Sequence, residues 1–179
     1  MEQMFQATSD HIDRRLREVW SHSTEVAAIS NVLAKNYTKL RPDRAMLGGL
    51  LHLMGVLPIL TYAEDHTELL RDSITLNHVI DNMHPEIGTR ILRAWEFPEE
   101  IACIPQEHMN FKREAGKVDY ADVVMVANLQ TYAGTSHPLA TMDWAHISAF
   151  GRVGLDPQVM CSDVEDIGAD LEAAMSMLK

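Results

Sequence analysis

The sequence predicts an all-α fold, and three observations support that. Apolar residues recur at helical spacing in nearly every segment, prolines and acids fall together where helices would begin, and no run alternates as a half-buried strand would. The chain has 179 residues, enough for one domain with a substantial core. Hydrophobic residues make up 46% and charged residues 23%, the balance of a globular protein. Aromatics are sparse at 6% while methionines number 11, so flexible aliphatic side chains should fill the core. No internal repeat or low-complexity segment breaks the pattern.

Ile12, Leu16, Val19 and Trp20 share one face of the first helix, and Val26, Ile29 and Leu33 continue that face in the next segment. Pro42 and Asp43 open a third helix, since proline suits a first helical turn. It carries the uncharged run GLLHLMGVLPIL, Gly49 to Leu60, until Pro58 ends or bends it. Gly48 and Gly49 weaken this helix, so their use should be a close approach to a neighbour. Thr61 to Asp72 reads as loop with a short helix.

Leu76, Val79, Ile80 and Met83 form a short apolar face ending at His84-Pro85. A residue before proline is pushed out of helical geometry, which places His84 at a helix boundary and lets Pro85 start the next helix. Ile87, Ile91, Leu92 and Trp95 should lie on that helix's inner side. FPEE, Phe97 to Glu100, repeats the proline-plus-acid start, and Pro105 should kink or shorten the helix it opens. KREAGKV, Lys112 to Val118, is a surface turn. Asp119 to Ala133 is an apolar helix broken by Ser136 to Pro138. Trp144, Ile147 and Phe150 mark a short helix stopping near Gly151. Ser162 and Glu165 stand in capping-box spacing before a last helix that buries Val164, Ile167, Leu171, Met175 and Leu178.

The formal net charge is −11, which repels phosphate backbones and anionic lipid alike. The expectation is no nucleic-acid partner and no membrane partner. Ala45 to Ala63 carries no formal charge and could just span a bilayer by length. Gly48, Gly49, Gly55, Pro58 and His52 dilute it, so a buried core helix is the better reading. Cys103 and Cys161 lie far apart in no metal or redox spacing, as in a reducing compartment. The N-terminus lacks the apolar core of a signal peptide. A cytoplasmic location is therefore expected.

Nine histidines occur. His11, His66, His78, His137 and His146 lie in polar or terminal contexts, where solvation is the default. His22, His52, His84 and His108 sit where helices begin, end or bury their inner faces. Asp122 is a carboxylate entering an otherwise apolar helical face. Imidazole and carboxylate suit zinc, iron, nickel or manganese, so these five could converge on a metal. Each could equally be a core or capping residue bonded to a nearby carbonyl, and no pair shows the i, i+4 spacing of a recognised helical metal site.

Four stretches carry a family likeness: Trp20-Ser21-His22-Ser23 followed by Val26-Ala27, GLLHLMG, HPEIG with a tryptophan and FP downstream, and the helix from Ala121-Asp122. In this order and at these separations the chain resembles the HDOD domain (HD-related output domain), a bacterial signalling relative of the HD phosphohydrolases and the HD-GYP cyclic-di-GMP phosphodiesterases. The similarity runs from about Phe5 to the C-terminus. It implies an HD-domain-like helical bundle, a single unit over residues 1–179, with the leading helical half of a full HDOD module absent.

The resemblance also places His22, His52, His84, His108 and Asp122 at the relatives' ligand positions. In the catalytic relatives an aspartate follows the histidine corresponding to His52 and holds or bridges metal; here it is Leu53. Two adjacent histidines in HD-GYP correspond to His108-Met109, and the GYP element is missing. Two metals held by imidazoles alone would leave a large uncompensated charge, so two-metal hydrolysis is unsupported.

The expectation is therefore a non-catalytic regulatory module with no cofactor, a regulatory protein partner, and a homodimer as its self-association. The alternative is a phosphohydrolase with a mononuclear site of three histidines and Asp122, holding a single divalent metal and acting on a nucleotide or cyclic dinucleotide. Arg90 and Arg93 are its nearest candidates for holding an anionic substrate. A third reading is a dimerisation domain with the acidic C-terminal helix as its interface.

Overall fold

A 28-residue helix, α1 (Asp10–Tyr37), is the spine against which the chain folds in the computed structural model, which describes residues 9–161 and 165–178. Asp10 and Asp13 lie in its first turn and Lys35 in its last, favourable to the helix dipole at both ends. The two apolar segments expected at its N-terminal side form this one continuous helix, burying Ile12, Val26, Ile29, Val32 and Leu33.

Helices α2 (Pro42–Leu51) and α3 (Val56–Glu64) pack on α1, and a short α4 (Thr67–Arg71) leads into the long α5 (Ser73–Ala94), which packs on α3. They are followed by α6 (Glu99–Ala102), α7 (Ile104–Glu107), α8 (Tyr120–Tyr132), 3-10 turns at Pro138–Ala140 and Trp144–His146, α9 (Ser148–Val153) and α10 (Glu165–Met177). Among the described residues there is no strand. The all-α expectation holds.

Two apolar clusters flank the middle of the molecule. The larger joins Val26 and Leu33 of α1 to Val124 and Leu129 of α8 and Phe150 of α9. The smaller joins Ile12 to Leu60, Leu76 and Ile80 beneath α3 to α5. Helix α8 is buried from Tyr120 to Gln130 without a solvent face, as an apolar helix in a core must be. Helix α10 lies against α1, with Lys35 Nζ 2.7 Å from Asp170.

Gly49 is needed where α2 crosses α1: a Cβ there would stand 2.5 Å from the Ala27 Cα. The apolar run over 42–64 is long enough to cross a membrane by length and composition. It is split between α2 and α3 at 52–55, and Ala45, Gly49, Ile59 and Leu60 are buried inside the protein. The break precedes Pro58, which sits harmlessly in the first turn of α3.

The structure corrects several local expectations. Pro85 does not divide α5; His84 lies inside that helix, because packing on both flanks outweighs the single hydrogen bond a proline removes. Trp95 is 60% exposed and Met83 50% exposed, off the inner face assigned to them. The polar stretch after Thr61 is mostly helical, in α3 and α4. Helix α9 ends at Gly154, not Gly151, since Gly154 takes the left-handed C-cap at φ 88°. Pro105 does shorten its helix: the chain breaks at Cys103 between α6 and α7. The proposed cap at Ser162, with Val164, lies outside the described residues.

Candidate functional site

His52 caps the C-terminus of α2, and its ring is fully buried. Its Nδ1 is 2.6 Å from the Gly49 carbonyl. A carbonyl only accepts, so Nδ1 carries the proton and Nε2 keeps a lone pair. That Nε2 has no hydrogen-bond partner among the described residues. His108 repeats the device at the end of α7, with Nδ1 3.0 Å from the Pro105 carbonyl and 3.2 Å from that of Ile104. Its Nε2 is again the unprotonated nitrogen.

His84 is brought in by two close helix approaches. A Cβ on Gly55 would lie 2.0 Å from the His84 carbonyl oxygen, and one on Gly88 would lie 2.9 Å from Pro105. Glycine at both positions lets α5 pass against the start of α3 and against α7. His84 is 7% exposed and its Nδ1 is unpartnered. From α1, His22 Nε2 donates to Asn128 Oδ1 at 2.8 Å.

The four rings form one cluster. Ring centroids are 5.0 Å apart for His52 and His108, 5.6 Å for His22 and His52, and 5.7 Å for His84 and His108. Burial lowers the pKa of all four, driving His52 well below its ordinary value and His108 to about 3. The Asn128 hydrogen bond opposes this at His22 without reversing it. At neutral pH the cluster is uncharged.

A cleft of about 260 Å³ opens onto it, lined by His22, His84 and His108 with Asn128, Tyr132 and His137. Leu53, Val56, Ile80 and Met109 supply an apolar wall, and Arg15, Glu18 and Asp81 supply its charges. His137 is exposed, as expected, and also lines the cleft, stacking on Tyr132 with centroids 3.9 Å apart.

Asp122 does not join this lining. Arg113 Nη1 donates to its Oδ1 at 2.5 Å, while Arg152 donates to Oδ1 at 2.7 Å and to Oδ2 at 2.8 Å. Its Oδ2 also accepts from the Asp119 backbone in a reciprocal capping box at the start of α8. Placing Asp122 beside the histidines therefore needs correcting: its position in the first turn of α8 assigns it to the cap and to two arginines. Asn128, further along the same helix, is the side chain that reaches His22.

Arg113 sits in the turn assigned to the surface, yet its side chain is 9% exposed and pairs Glu107, Asp119 and Asp122. Burial works against its charge, but Asp119, Glu107 and Asp122 outweigh burial and hold its pKa above the ordinary arginine value. The alternation of Lys, Arg and Glu there reads as solvated, and no signal in the sequence marks Arg113 as buried. Arg90 and Arg93 are not cleft residues; they pair with Glu86 and Glu99.

The donor set fits a metal poorly. Among the described residues no group of three or more His, Cys, Asp or Glu side chains is arranged to hold a metal ion. The buried carboxylate that could balance a cation is already neutralised by two guanidiniums, and Leu53 and Asn128 have no anionic oxygen to offer.

The HDOD domain family matches residues 1–111 of the sequence. The chain belongs to the HDOD domain family. No curated protein matches it. One solved structure is similar over 99% of the chain with a TM-score of 0.84 and 24% sequence identity. It is a Shewanella amazonensis SB2B protein named only as a proposed metal-dependent phosphohydrolase. The present chain spans 65% of that protein's length. At this identity the likeness shows the HD-type helical fold, and the HDOD chain shares its architecture.

Proposed function

We propose that this HDOD chain is a non-catalytic regulatory module of bacterial signal transduction, working in the cytoplasm through contacts with a protein partner, and self-associating as a homodimer. The observation that carries the reading is the fate of the carboxylates. Hydrolysis of a phosphoester on an HD scaffold calls for an anionic oxygen beside the imidazoles, to balance metal charge and to activate water. Leu53 follows His52, Asn128 meets His22, and Asp122 is consumed by Arg113 and Arg152. The scaffold keeps the histidines as a packed, neutral core.

The test is turnover of bis-p-nitrophenyl phosphate, p-nitrophenyl phosphate and cyclic dinucleotides by the purified chain, with manganese, iron, zinc or nickel added in turn. The regulatory reading expects no turnover above the metal-only background. Turnover that is abolished by His84→Ala establishes the phosphohydrolase alternative instead.

A further inference from the structure

We propose that the histidine-lined cleft is a binding site for a small organic cation carrying N–H donors, a primary ammonium or guanidinium ion. The hydrogen-bond polarity of its walls carries this. The Ile104 and Pro105 carbonyls fix the proton of the lining His108 on Nδ1, so that ring keeps its lone pair on Nε2; behind it the buried His52, held the same way by the Gly49 carbonyl, keeps an unpartnered Nε2. His22 gives its Nε2 proton to Asn128, which leaves its own lone pair on Nδ1. His84, more than nine-tenths buried and part of the lining, has a ring nitrogen without a partner. These imidazole lone pairs are matched by a ligand that brings N–H donors.

The charges agree. Glu18 and Asp81 line the cleft and are exposed, against the single cation Arg15, whose Nη2 is turned to Asn77 at 2.6 Å. A phosphate, all acceptors and negative, would meet lone pairs and two carboxylates. An ammonium or guanidinium meets acceptors and carboxylates. A volume of about 260 Å³ lies below the range typical of drug-sized ligands, which sets the occupant's size as small. Ligand capture here stands apart from partner docking: either can fail without the other.

The experiment is an NMR titration of the full chain with butylammonium and ethylguanidinium chloride. Tetramethylammonium (a cation without N–H donors), inorganic phosphate and zinc serve as comparisons. Expected are saturable shifts at His22, His84, His108 and Tyr132 for at least one of the two N–H cations, and none for tetramethylammonium or phosphate. Affinity should fall about fivefold in the Glu18→Gln/Asp81→Asn double variant, whose exposed sites spare the fold. Four results each overturn the proposal: no saturable binding, equal affinity in the variant, tetramethylammonium binding as well as the others, or phosphate or zinc occupying the cleft in their place.

Discussion

His22 Nε2 lies 2.8 Å from Asn128 Oδ1, an imidazole on α1 bonded to an amide on α8. The pair closes one wall of the cleft without placing a charge in it. Changing the amide to a carboxylate reverses that. In Asn128→Asp, the new anion should raise the His22 pKa from its lowered position towards or above 6.5. Proton NMR titration of the His22 ring checks this. An unchanged His22 titration would mean the two side chains do not meet in solution.

Asp122 is fully buried and is held by Arg113 and Arg152, whose side chains are 9% and 16% exposed. Removing the acid leaves Arg152 without its carboxylate partner and Arg113 with only Glu107 and Asp119, both guanidiniums having poor access to water. Asp122→Asn should cost about 3 kcal/mol or more in urea unfolding, the scale expected when one partner of a buried ion network is lost. A metal-ligand role for Asp122 predicts the opposite pattern, a small stability change with a large change in metal content.

Gly55→Ala tests how α3 and α5 meet. Its Cβ would fall 2.0 Å from the His84 carbonyl oxygen and 2.6 Å from the Gly88 nitrogen, both backbone atoms that cannot swing aside. A loss of about 3 kcal/mol is expected, at the upper end for overpacking. Gly116→Ala, with nothing within 4 Å, should change stability by less than about 0.5 kcal/mol. Equal midpoints for the two variants would contradict this helix crossing.

Acid should loosen the histidine cluster. The folded-state pKa values of His52, His84 and His108 lie below the unfolded value of 6.5, with His108 at about 3. The unfolded chain therefore binds more protons than the folded one below that pH. The stability is fully present above pH 6.5 and is lost as pH falls from there towards the folded pKa values. Each histidine contributes a slope approaching about 1.4 kcal/mol per pH unit within this window. Urea unfolding at pH 7, 6 and 5 measures it, and stability that stays flat or rises on acidification would count against buried neutral rings.

Leu53 is partly buried against the smaller cluster and lines the cleft. Leu53→Asp should cost about 1–3 kcal/mol through an unpaired carboxylate, with part of that cost relieved when zinc is added. Thermal melts with and without zinc read this directly. A melt unmoved by zinc in a folded variant would show that Leu53 does not face the imidazoles.

Much of the fold and of the site is legible in the residues themselves. Helical spacing identifies the elements, and His22, His52, His84 and His108 stand out because they interrupt apolar faces; the fold brings all four together. The features that escape the sequence are decided by tertiary contact. Pro85 looks like a boundary until Gly55 and Gly88 pack beside it, and Asp122 looks like a ligand until Arg113 and Arg152 arrive from 9 and 30 residues away. His137 is exposed as expected, but nothing local in the sequence reveals its stacking on Tyr132.

The most direct measurement is metal content by elemental analysis of the protein after equilibration with zinc, manganese or iron and passage through a desalting column. With Leu53 after His52 and Asp122 held by two arginines, well under one equivalent of any metal should be retained, and an unchanged melting temperature should accompany its removal by chelator. One or two tightly held equivalents, lost together with stability in His52→Ala and His108→Ala, would contradict the proposed non-catalytic reading.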